Sequence, residues 1–310
     1  MIKSRTPKTL TPSAAALDVP ARDARSVLRD YVQLAKPRIA LLLVFTTVTA
    51  MIIAADGLPP LDILLATMLG GVFASGGASA INQYYDRDMD AMMARTKKRP
   101  IAAGRVSPGA GLTYGLALVA LSGVLLAVFV NLLAAVLALG GAFYYVVLYT
   151  MLLKRNTVVN IVIGGGAGAM PVLVGWAAVT GGLALEAWLL FLIVFYWTPP
   201  HSWALALLVN ADYKRAGVPM MPAARGGEAT RRQIILYSAL LVLLTLLPTP
   251  LAMLGWIYGL TALLLGFGLM VRAVQLFRER TQVAAKTMYK YSTGYLALLF
   301  LMMMVDRLLL

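Results

Sequence analysis

The stretch LLAAVLALGGAFYYVVLYTMLL, residues 132–153, decides the fold class of this chain. It runs for 22 residues without a charged side chain, and Lys154 and Arg155 follow it directly. About 20 apolar residues in an α-helix cross a hydrocarbon layer roughly 30 Å thick. Residues 132–153 are therefore predicted to form one membrane-spanning helix.

The composition of the whole chain agrees with a membrane protein. Hydrophobic residues make up 60% of the 310 residues and charged residues only 13%, and the mean hydropathy is +0.80. An average soluble domain has about 25% charged residues. So few polar side chains cannot cover a surface that faces water, which argues against a soluble protein. The chain has no cysteine, so disulfides, thiolate metal sites and a cysteine nucleophile are excluded.

Nine apolar runs of suitable length predict nine membrane-spanning helices. They cover residues 37–56, 62–82, 109–130, 132–153, 157–178, 187–208, 233–252, 255–277 and 288–306. We therefore expect an all-α integral membrane protein in which residues 35–310 form a single transmembrane domain. Glycines are frequent in the second and fifth runs, for example Gly77 and Gly164, and close helix packing is their preferred explanation.

Residues 1–34 are predicted to form a separate segment on the same side of the membrane as the positive loops. Residues 1–24 mix Pro, Ser, Thr and Ala with charge, which is typical of disorder. The spacing of the apolar residues that follow predicts a short amphipathic helix at the membrane interface. These residues are Val27, Leu28, Tyr31, Val32 and Leu34.

The positive charges predict the orientation of the chain. With nine spans, all Lys and Arg residues except Arg307 lie in the N-terminal segment or in even-numbered connections. Positive loops stay in the cytoplasm, so the N-terminus should be cytoplasmic. This pattern explains the net charge of +14 without nucleic-acid binding. A bacterial plasma (inner) membrane is favoured over the mitochondrial inner membrane, because acidic residues such as Asp18 are atypical of a presequence.

An acidic motif stands at the cytoplasmic end of the second span. Asn82, Asp86 and Asp90 lie four residues apart, so a helix projects them from nearly one face. Two carboxylates one turn apart repel each other unless a cation lies between them. Such oxygen ligands suit Mg²⁺, which also accepts waters and phosphate oxygens. The alternative is a charged helix end that simply reaches into water.

A cationic loop follows the acidic motif and favours the metal interpretation. It contains Arg95, Lys97, Lys98, Arg99 and Arg105. Arg binds phosphate through a bidentate fork and Lys as a point charge. The positive-inside rule explains the sign of these residues but not their position beside carboxylates. A diphosphate held between Mg²⁺ and these cations explains both.

A second polar cluster lies at the end of the sixth span. His201, the only histidine, follows Pro199 and Pro200, which are expected to break the helix where it lines a cavity. Asp212 lies a few residues further on, beside Lys214 and Arg215 at the edge of the next loop. The topology brings both clusters to one membrane face, which indicates a shared site.

These motifs resemble those of the UbiA-type intramembrane prenyltransferases. The Asn82 to Asp90 motif, the run Arg-Thr-Lys-Lys-Arg-Pro-Ile at 95–101 and the nine spans are similar to that superfamily. Three further stretches resemble its heme-farnesylating branch. They are Asn-Ile-Val-Ile-Gly-Gly at 160–165, Trp-Thr-Pro-Pro-His-Ser-Trp at 197–203 and Gly-Val-Pro-Met-Met-Pro at 217–222. The resemblance runs from about Ala35 to the C-terminus.

The resemblance implies a UbiA-type bundle and an Mg²⁺-dependent transfer of farnesyl from farnesyl diphosphate to a vinyl group of heme b. Water adds, diphosphate leaves and heme O results, which supplies terminal oxidases; heme A synthase or oxidase-assembly proteins are possible partners. Asn82, Asp86 and Asp90 would hold the Mg-diphosphate, with both aspartates on the metal. His201 would contact heme as iron ligand or as base. The implied substrate-binding residues are Arg95, Lys98, Arg99, Lys154, Asp212, Lys214 and Arg215.

Other functions stay open at this point. Many members of the superfamily have a second aspartate-rich motif, whereas here only Asp212 stands in that region. One alternative is a prenyltransferase that acts on a quinone precursor or another aromatic acceptor. His201 and the missing second aspartate pair argue against such an acceptor. A transporter would be expected to show inverted repeats, and no second copy of the acidic motif is found. A heme-binding assembly factor would explain His201 but not Asp86 and Asp90.

Overall fold

The computed structural model describes residues 23–310, so residues 1–22 of the stretch 1–24 that was predicted to be disordered lie outside it, and Ala24 is the first residue of a helix. Its α-helices are α1 Ala24–Leu34, α2 Pro37–Ala55, α3 Leu61–Tyr85, α4 Arg87–Met92, α5 Pro108–Phe129, α6 Leu132–Phe143, α7 Asn160–Thr180, α8 Leu185–Leu208, α9 Asn210–Arg215, α10 Met221–Ala224, α11 Gly226–Leu246, α12 Trp256–Glu279 and α13 Gln282–Leu309. A π-helical segment, Tyr144–Leu153, continues α6. The fold is all-helical over the described residues.

Nine helices in the described part of the chain are long and apolar enough to cross a membrane, as the sequence predicted. Seven of the nine predicted runs match the observed helices to within three residues at each end, and α13 begins at Gln282, six residues before the ninth run. The seventh differs, because α11 begins at Gly226 and ends at Leu246 rather than covering residues 233–252. The sequence prediction began this span at residue 233 because the preceding residues are polar and resemble a loop. In the structure these residues form the first turns of α11, which the Glu228–Arg232 ion pair supports. Pro248 and Pro250 follow its end.

The core of the bundle lies where α2, α7, α8 and α13 pack together. Of the nine spanning helices, α7 is the most enclosed by protein. Large side chains such as Trp203, Leu190 and Phe300 are fully buried there. Lipid is as apolar as these side chains, so their packing is stabilised by van der Waals contact rather than by escape from water.

Glycines allow the spanning helices to approach each other closely. A Cβ atom on Gly77 of α3 would lie 2.6 Å from the carbonyl oxygen of Gly115 on α5. A Cβ atom on Gly175 of α7 would lie 2.3 Å from the carbonyl oxygen of Thr47 on α2. Close packing therefore accounts for these positions, whereas Gly71 faces open space.

The helix α1 packs against the end of α3 that bears the acidic motif. Gln83 Nε2 donates to the carbonyl oxygen of Leu34 at 2.9 Å, and Arg105 Nε donates to Asp30 at 3.0 Å. The observed bounds extend the predicted amphipathic helix by one turn at its start. These contacts fix the N-terminal entry to the bundle beside the acidic motif.

The close contact at Gly77 yields a stability prediction. Gly77→Ala should lower the free energy of unfolding by about 1–3 kcal/mol, because the new methyl group meets a backbone oxygen that cannot move aside. Gly71→Ala is the matched control on the same helix, and it should leave stability unchanged or slightly raised. Thermal unfolding in detergent measures both. Equal melting temperatures for the two variants would contradict the packing explanation.

Candidate active site

The acidic motif is buried at the junction of α3 and α4. Asn82 lies in the last turn of α3, Asp86 ends that helix and Asp90 lies in α4, and none is more than 2% exposed. Asn82 Nδ2 donates to Asp86 Oδ2 at 2.8 Å. The Asp90 amide donates to the Asp86 carbonyl at 2.7 Å, so the helical path nearly continues through the junction. The motif is therefore part of the protein interior and not a solvated helix end.

Lys154 forms an ion pair with Asp86. The π-helical segment brings Lys154 there, because its amide bonds to the carbonyl of Tyr149, five residues back. The wider turn also places Thr150, whose hydroxyl accepts from Asn82 Nδ2 at 3.1 Å. Burial lowers the pKa of Lys154, and the neighbouring Asp86 opposes that shift. Such π-helical turns occur frequently at functional sites.

Arg99 neutralises the second carboxylate. Its Nη1 donates to both oxygens of Asp90, at 2.9 and 2.7 Å. The Thr96 hydroxyl donates to the carbonyl oxygen of Asp90 at 3.0 Å and holds the loop against α4. The cationic loop thus folds back onto the acidic motif, as the adjacency of the two in sequence predicted.

Lys36 is a site residue that the sequence prediction missed. Its Nζ lies 3.4 Å from Asn82 Oδ1, and its backbone has the left-handed φ of 49°, which is uncommon for lysine. Burial lowers its pKa to about 7, aided by the positive charges of Arg99 and Lys154. Its position directly before Pro37, at the start of a span, was the available signal. At the level of the sequence, Lys36 is only one of the positive charges that predict the orientation of the chain in the membrane.

Basic side chains outnumber acidic ones in this cluster. Lys36, Lys154 and Arg99 surround the carboxylates of Asp86 and Asp90. The exposed Arg155 adds a fourth cation, with Nη2 at 3.8 Å from Asp86 Oδ1 and paired with Asp88. Excess positive charge in a low-dielectric interior attracts an anion of high charge. The cluster therefore suits a polyanion such as a diphosphate.

The donor atoms present also fit Mg²⁺. Asp86 Oδ1 and Asn160 Oδ1 are buried and have no hydrogen-bond partner, so their lone pairs are available. Within residues 23–310, no group of three or more His, Cys, Asp or Glu side chains is placed to hold a metal ion alone. Mg²⁺ normally completes its shell with waters and substrate phosphate oxygens, so two aspartates are sufficient.

The two polar clusters meet through Tyr213. Arg95 Nη2 donates to the Tyr213 hydroxyl at 2.8 Å, and the Arg95 guanidinium lies 4.9 Å from the Tyr213 ring centre. Tyr213 is buried in α9, and burial raises its pKa. The second and sixth connections are therefore in contact, as expected from the topology. Tyr213 itself was not predicted as a site residue.

The remaining predicted substrate-binding residues lie further outward. Asp212 pairs with Arg215 at 3.5 Å within α9. Lys214, Arg215 and Lys98 are exposed. They therefore lie on the surface, and among the described residues none of them forms an ion pair with Asp86 or Asp90.

His201 lies in a different setting, against α13. Its Nδ1 is 2.9 Å from the Ser292 hydroxyl, and its ring stacks on Trp197 at 4.3 Å between centroids. No ion pair or hydrogen bond joins it to the aspartates in the described part of the chain. The expectation that the prolines break the helix is wrong, since α8 runs through Pro199 and Pro200. Neighbouring helices enclose both prolines and keep the helix intact.

In residues 23–310, nine helices long enough to span a membrane and a buried aspartate–cation cluster at one end define the class: an integral membrane protein with a site suited to an anion. A sequence model of the UbiA prenyltransferase family matches residues 43–301. The chain belongs to this family, as the motif from Asn82 to Asp90 suggested.

Bacterial proteins named protoheme IX farnesyltransferase are similar to the chain over most of its length. The protein of Roseiflexus sp. (strain RS-1) is 53% identical and is matched over 91% of this chain and 53% of its own length. That of Symbiobacterium thermophilum is 51% identical over 90% of this chain and 94% of the relative. The protein of Gloeobacter violaceus is 49% identical, and the match covers 95% of this chain and 96% of that protein. The chain thus spans about half of the first relative and nearly all of the other two.

Solved structures confirm the fold. A structure of digeranylgeranylglyceryl phosphate synthase matches with a TM-score of 0.77 and 19% identity, over 92% of this chain and all of the other. A UbiA homolog from Archaeoglobus fulgidus, bound to GPP and Mg²⁺, matches with a TM-score of 0.63 and 16% identity. That match covers 88% of this chain and 99% of the homolog. The predicted UbiA-type nine-helix bundle is therefore confirmed.

The Asp86–Lys154 pair yields a second stability prediction. Lys154→Met should lower the free energy of unfolding by about 3 kcal/mol, because it leaves the buried Asp86 carboxylate without its main cation. Asp86→Asn added to Lys154→Met should restore most of the loss, since the remaining amide carries no charge. Denaturant unfolding of the two single variants and the double variant measures the coupling. Additive effects would contradict a direct ionic interaction.

Proposed function

We propose that the chain transfers a farnesyl group from farnesyl diphosphate to a vinyl group of heme b, giving heme O. The observation that carries the proposal is the buried cluster of Asp86 and Asp90 with Lys36, Lys154 and Arg99, which suits a magnesium diphosphate. The relatives named protoheme IX farnesyltransferase, about 50% identical, support the choice of heme as acceptor.

The proposed reaction forms two bonds to the vinyl group and breaks three: the farnesyl C1–O bond, the vinyl π bond and one O–H bond of water. The C–O bond between farnesyl C1 and the diphosphate breaks, and the diphosphate leaves with the bonding electrons. The terminal vinyl carbon of heme forms a C–C bond to farnesyl C1, and a water hydroxyl adds to the adjacent carbon while a proton is released. The main barrier is charge separation, so stabilising the departing anion is the principal task of the site.

Asp86 and Asp90 would hold Mg²⁺, with Asn82 beside them. The bound ion supplies positive charge to the leaving diphosphate. Lys36, Lys154 and Arg99 of the cluster add further positive charge at the same end of the bundle. Lys154 is buried and Lys36 and Arg99 are half-buried, which strengthens this effect because the surrounding protein screens charges less than water does.

The cations outside the cluster have a different proposed role. Lys98 lies in the cationic loop and Lys214 and Arg215 in α9 beside Tyr213; all three are exposed and would suit the propionates of heme or the outer phosphate. Arg95 binds Tyr213 and so links the loop of the acidic cluster to the loop after His201. This contact would fix the position of the proposed diphosphate site relative to the proposed heme site.

The location and partners belong to the same proposal. The chain is a polytopic membrane protein, and its relatives are bacterial. We place it in the bacterial plasma membrane with residues 1–34 as a cytoplasmic segment and 35–310 as the transmembrane domain. Heme A synthase and oxidase-assembly proteins remain the partners to test, since heme O is used in terminal oxidases.

The reaction is tested with purified full-length protein in detergent, heme b, farnesyl diphosphate and Mg²⁺. We expect a more apolar heme, with a mass increased by a farnesyl group and a hydroxyl, and no product when EDTA removes Mg²⁺. Chromatography and mass spectrometry resolve the hemes. If folded protein prenylates a hydroxybenzoate but not heme b, the proposal that heme b is the acceptor is refuted. The assignment of the chain to the UbiA family would still hold.

Asp86→Asn tests the metal assignment. It should reduce the rate of heme O formation by about 100-fold or more, because an amide holds Mg²⁺ and its diphosphate far more weakly than a carboxylate. Asp62→Asn is the control: this exposed residue lies in the first turn of α3, about 35 Å from Asp86 along the same helix. It should retain wild-type activity. Full turnover by Asp86→Asn would disprove the assignment.

A further inference from the structure

The imidazole of His201 is held by three neighbours. The Trp197 ring stacks on it at 4.3 Å between centroids and 21° between planes, and the Tyr289 ring lies 4.7 Å away at 32°. Ser292 Oγ lies 2.9 Å from Nδ1. Trp197 Nε1 also donates to the Ser292 carbonyl at 2.6 Å, which ties α8 to α13 at this point. The ring therefore has one fixed orientation.

Ser292 also determines which ring nitrogen carries the proton. Its hydroxyl donates to the carbonyl oxygen of Tyr289 at 2.9 Å. A hydroxyl has only one proton to donate, so towards His201 the Ser292 oxygen acts as acceptor. Nδ1 of His201 is then the protonated nitrogen, and the lone pair of the neutral ring lies on Nε2.

The Nε2 atom is open to a ligand. Within residues 23–310 it makes no hydrogen bond, and it is not one of the fully buried polar atoms without a partner. His201 as a whole is half-buried. A neutral imidazole nitrogen that is accessible and already oriented is therefore presented from the surface of α8.

We propose that Ser292 is a positioning residue that directs Nε2 of His201 to the iron of the heme substrate. The inference rests on the proposed function, which makes heme the acceptor. Imidazoles that bind metals usually donate their other N–H to an oxygen atom, which fixes the tautomer and the ring orientation. The contact from Nδ1 to Ser292 has this arrangement.

The same surroundings argue against His201 as a general base. A base becomes an imidazolium, which a neighbouring carboxylate normally stabilises, as in catalytic triads. In the described chain His201 forms no ion pair with a carboxylate, and its partners are one hydroxyl and two aromatic rings. An iron ligand stays neutral, so these partners are sufficient for it.

The test is heme binding without farnesyl diphosphate. Ferric heme b is titrated into the full-length protein in detergent, and absorption and electron paramagnetic resonance spectra report the axial ligand. Wild-type protein should show a histidine-ligated heme, and His201→Ala should lose that signature and regain it with added imidazole. Ser292→Ala should bind heme about tenfold more weakly, the usual effect of losing such a supporting hydrogen bond.

Thr293→Ala is the matched control. The Thr293 hydroxyl donates to the same Tyr289 carbonyl at 3.0 Å, but Thr293 is exposed and does not touch His201. This variant should keep the wild-type spectrum and affinity. If Ser292→Ala unfolds, the near-isosteric Ser292→Cys replaces it and should also weaken binding, because sulfur is a poor acceptor.

The outcomes separate this proposal from the transferase reaction. Wild-type affinity and spectrum in the Ser292 variants would overturn the positioning role, and a wild-type complex without a histidine signature would overturn iron ligation. Neither result depends on farnesyl transfer. A histidine-ligated heme in a protein that makes no heme O would instead refute the proposed function and leave the role of Ser292 intact.

Discussion

The ion pair of Asp86 with Lys154 is the interaction on which the rest of the site depends. A buried carboxylate is stable only with a partner, and the partner must arrive from another helix. The π-helical segment of the fourth span provides it, and the same wide turn places Thr150 against Asn82. Once the first pair is fixed, Arg99 on Asp90 and Lys36 on Asn82 complete a cluster in which cations outnumber anions.

The spanning helices are uniformly apolar, so in a membrane their small residues determine how they pack and where the charged groups of the cluster meet. Between lipid-covered helices the association energy comes from close contact, so small residues decide which helices touch. Gly77 sets the approach of α3 to α5, and Gly175 that of α7 to α2. Gly164 makes room for the ring of Tyr149 in the π-helical segment. The fit of backbones thus determines where the charged groups lie.

The sequence predicted the number of spans because bilayer thickness is a strict limit on helix length. It also predicted the acidic motif, since a spacing of four places Asn82, Asp86 and Asp90 together on any helix. It did not predict Lys36, whose role arises from a contact 46 residues away in the chain. Tyr213 was missed for the same reason: only the packing of α9 against the cationic loop brings Arg95 to it. Local periodicity contains no information on such contacts.

The chemistry of the donor atoms keeps the two proposed metal-dependent roles apart. The cluster around Asp86 offers carboxylate and amide oxygens, which favour Mg²⁺, whereas His201 offers an imidazole nitrogen, which favours iron. The chain has one histidine and no cysteine, so no second imidazole and no thiolate competes for the iron of heme. The contact of Arg95 with Tyr213 joins the cationic loop that follows the acidic motif to α9, which follows His201, so a direct contact connects the segments that carry the two sets of donor atoms.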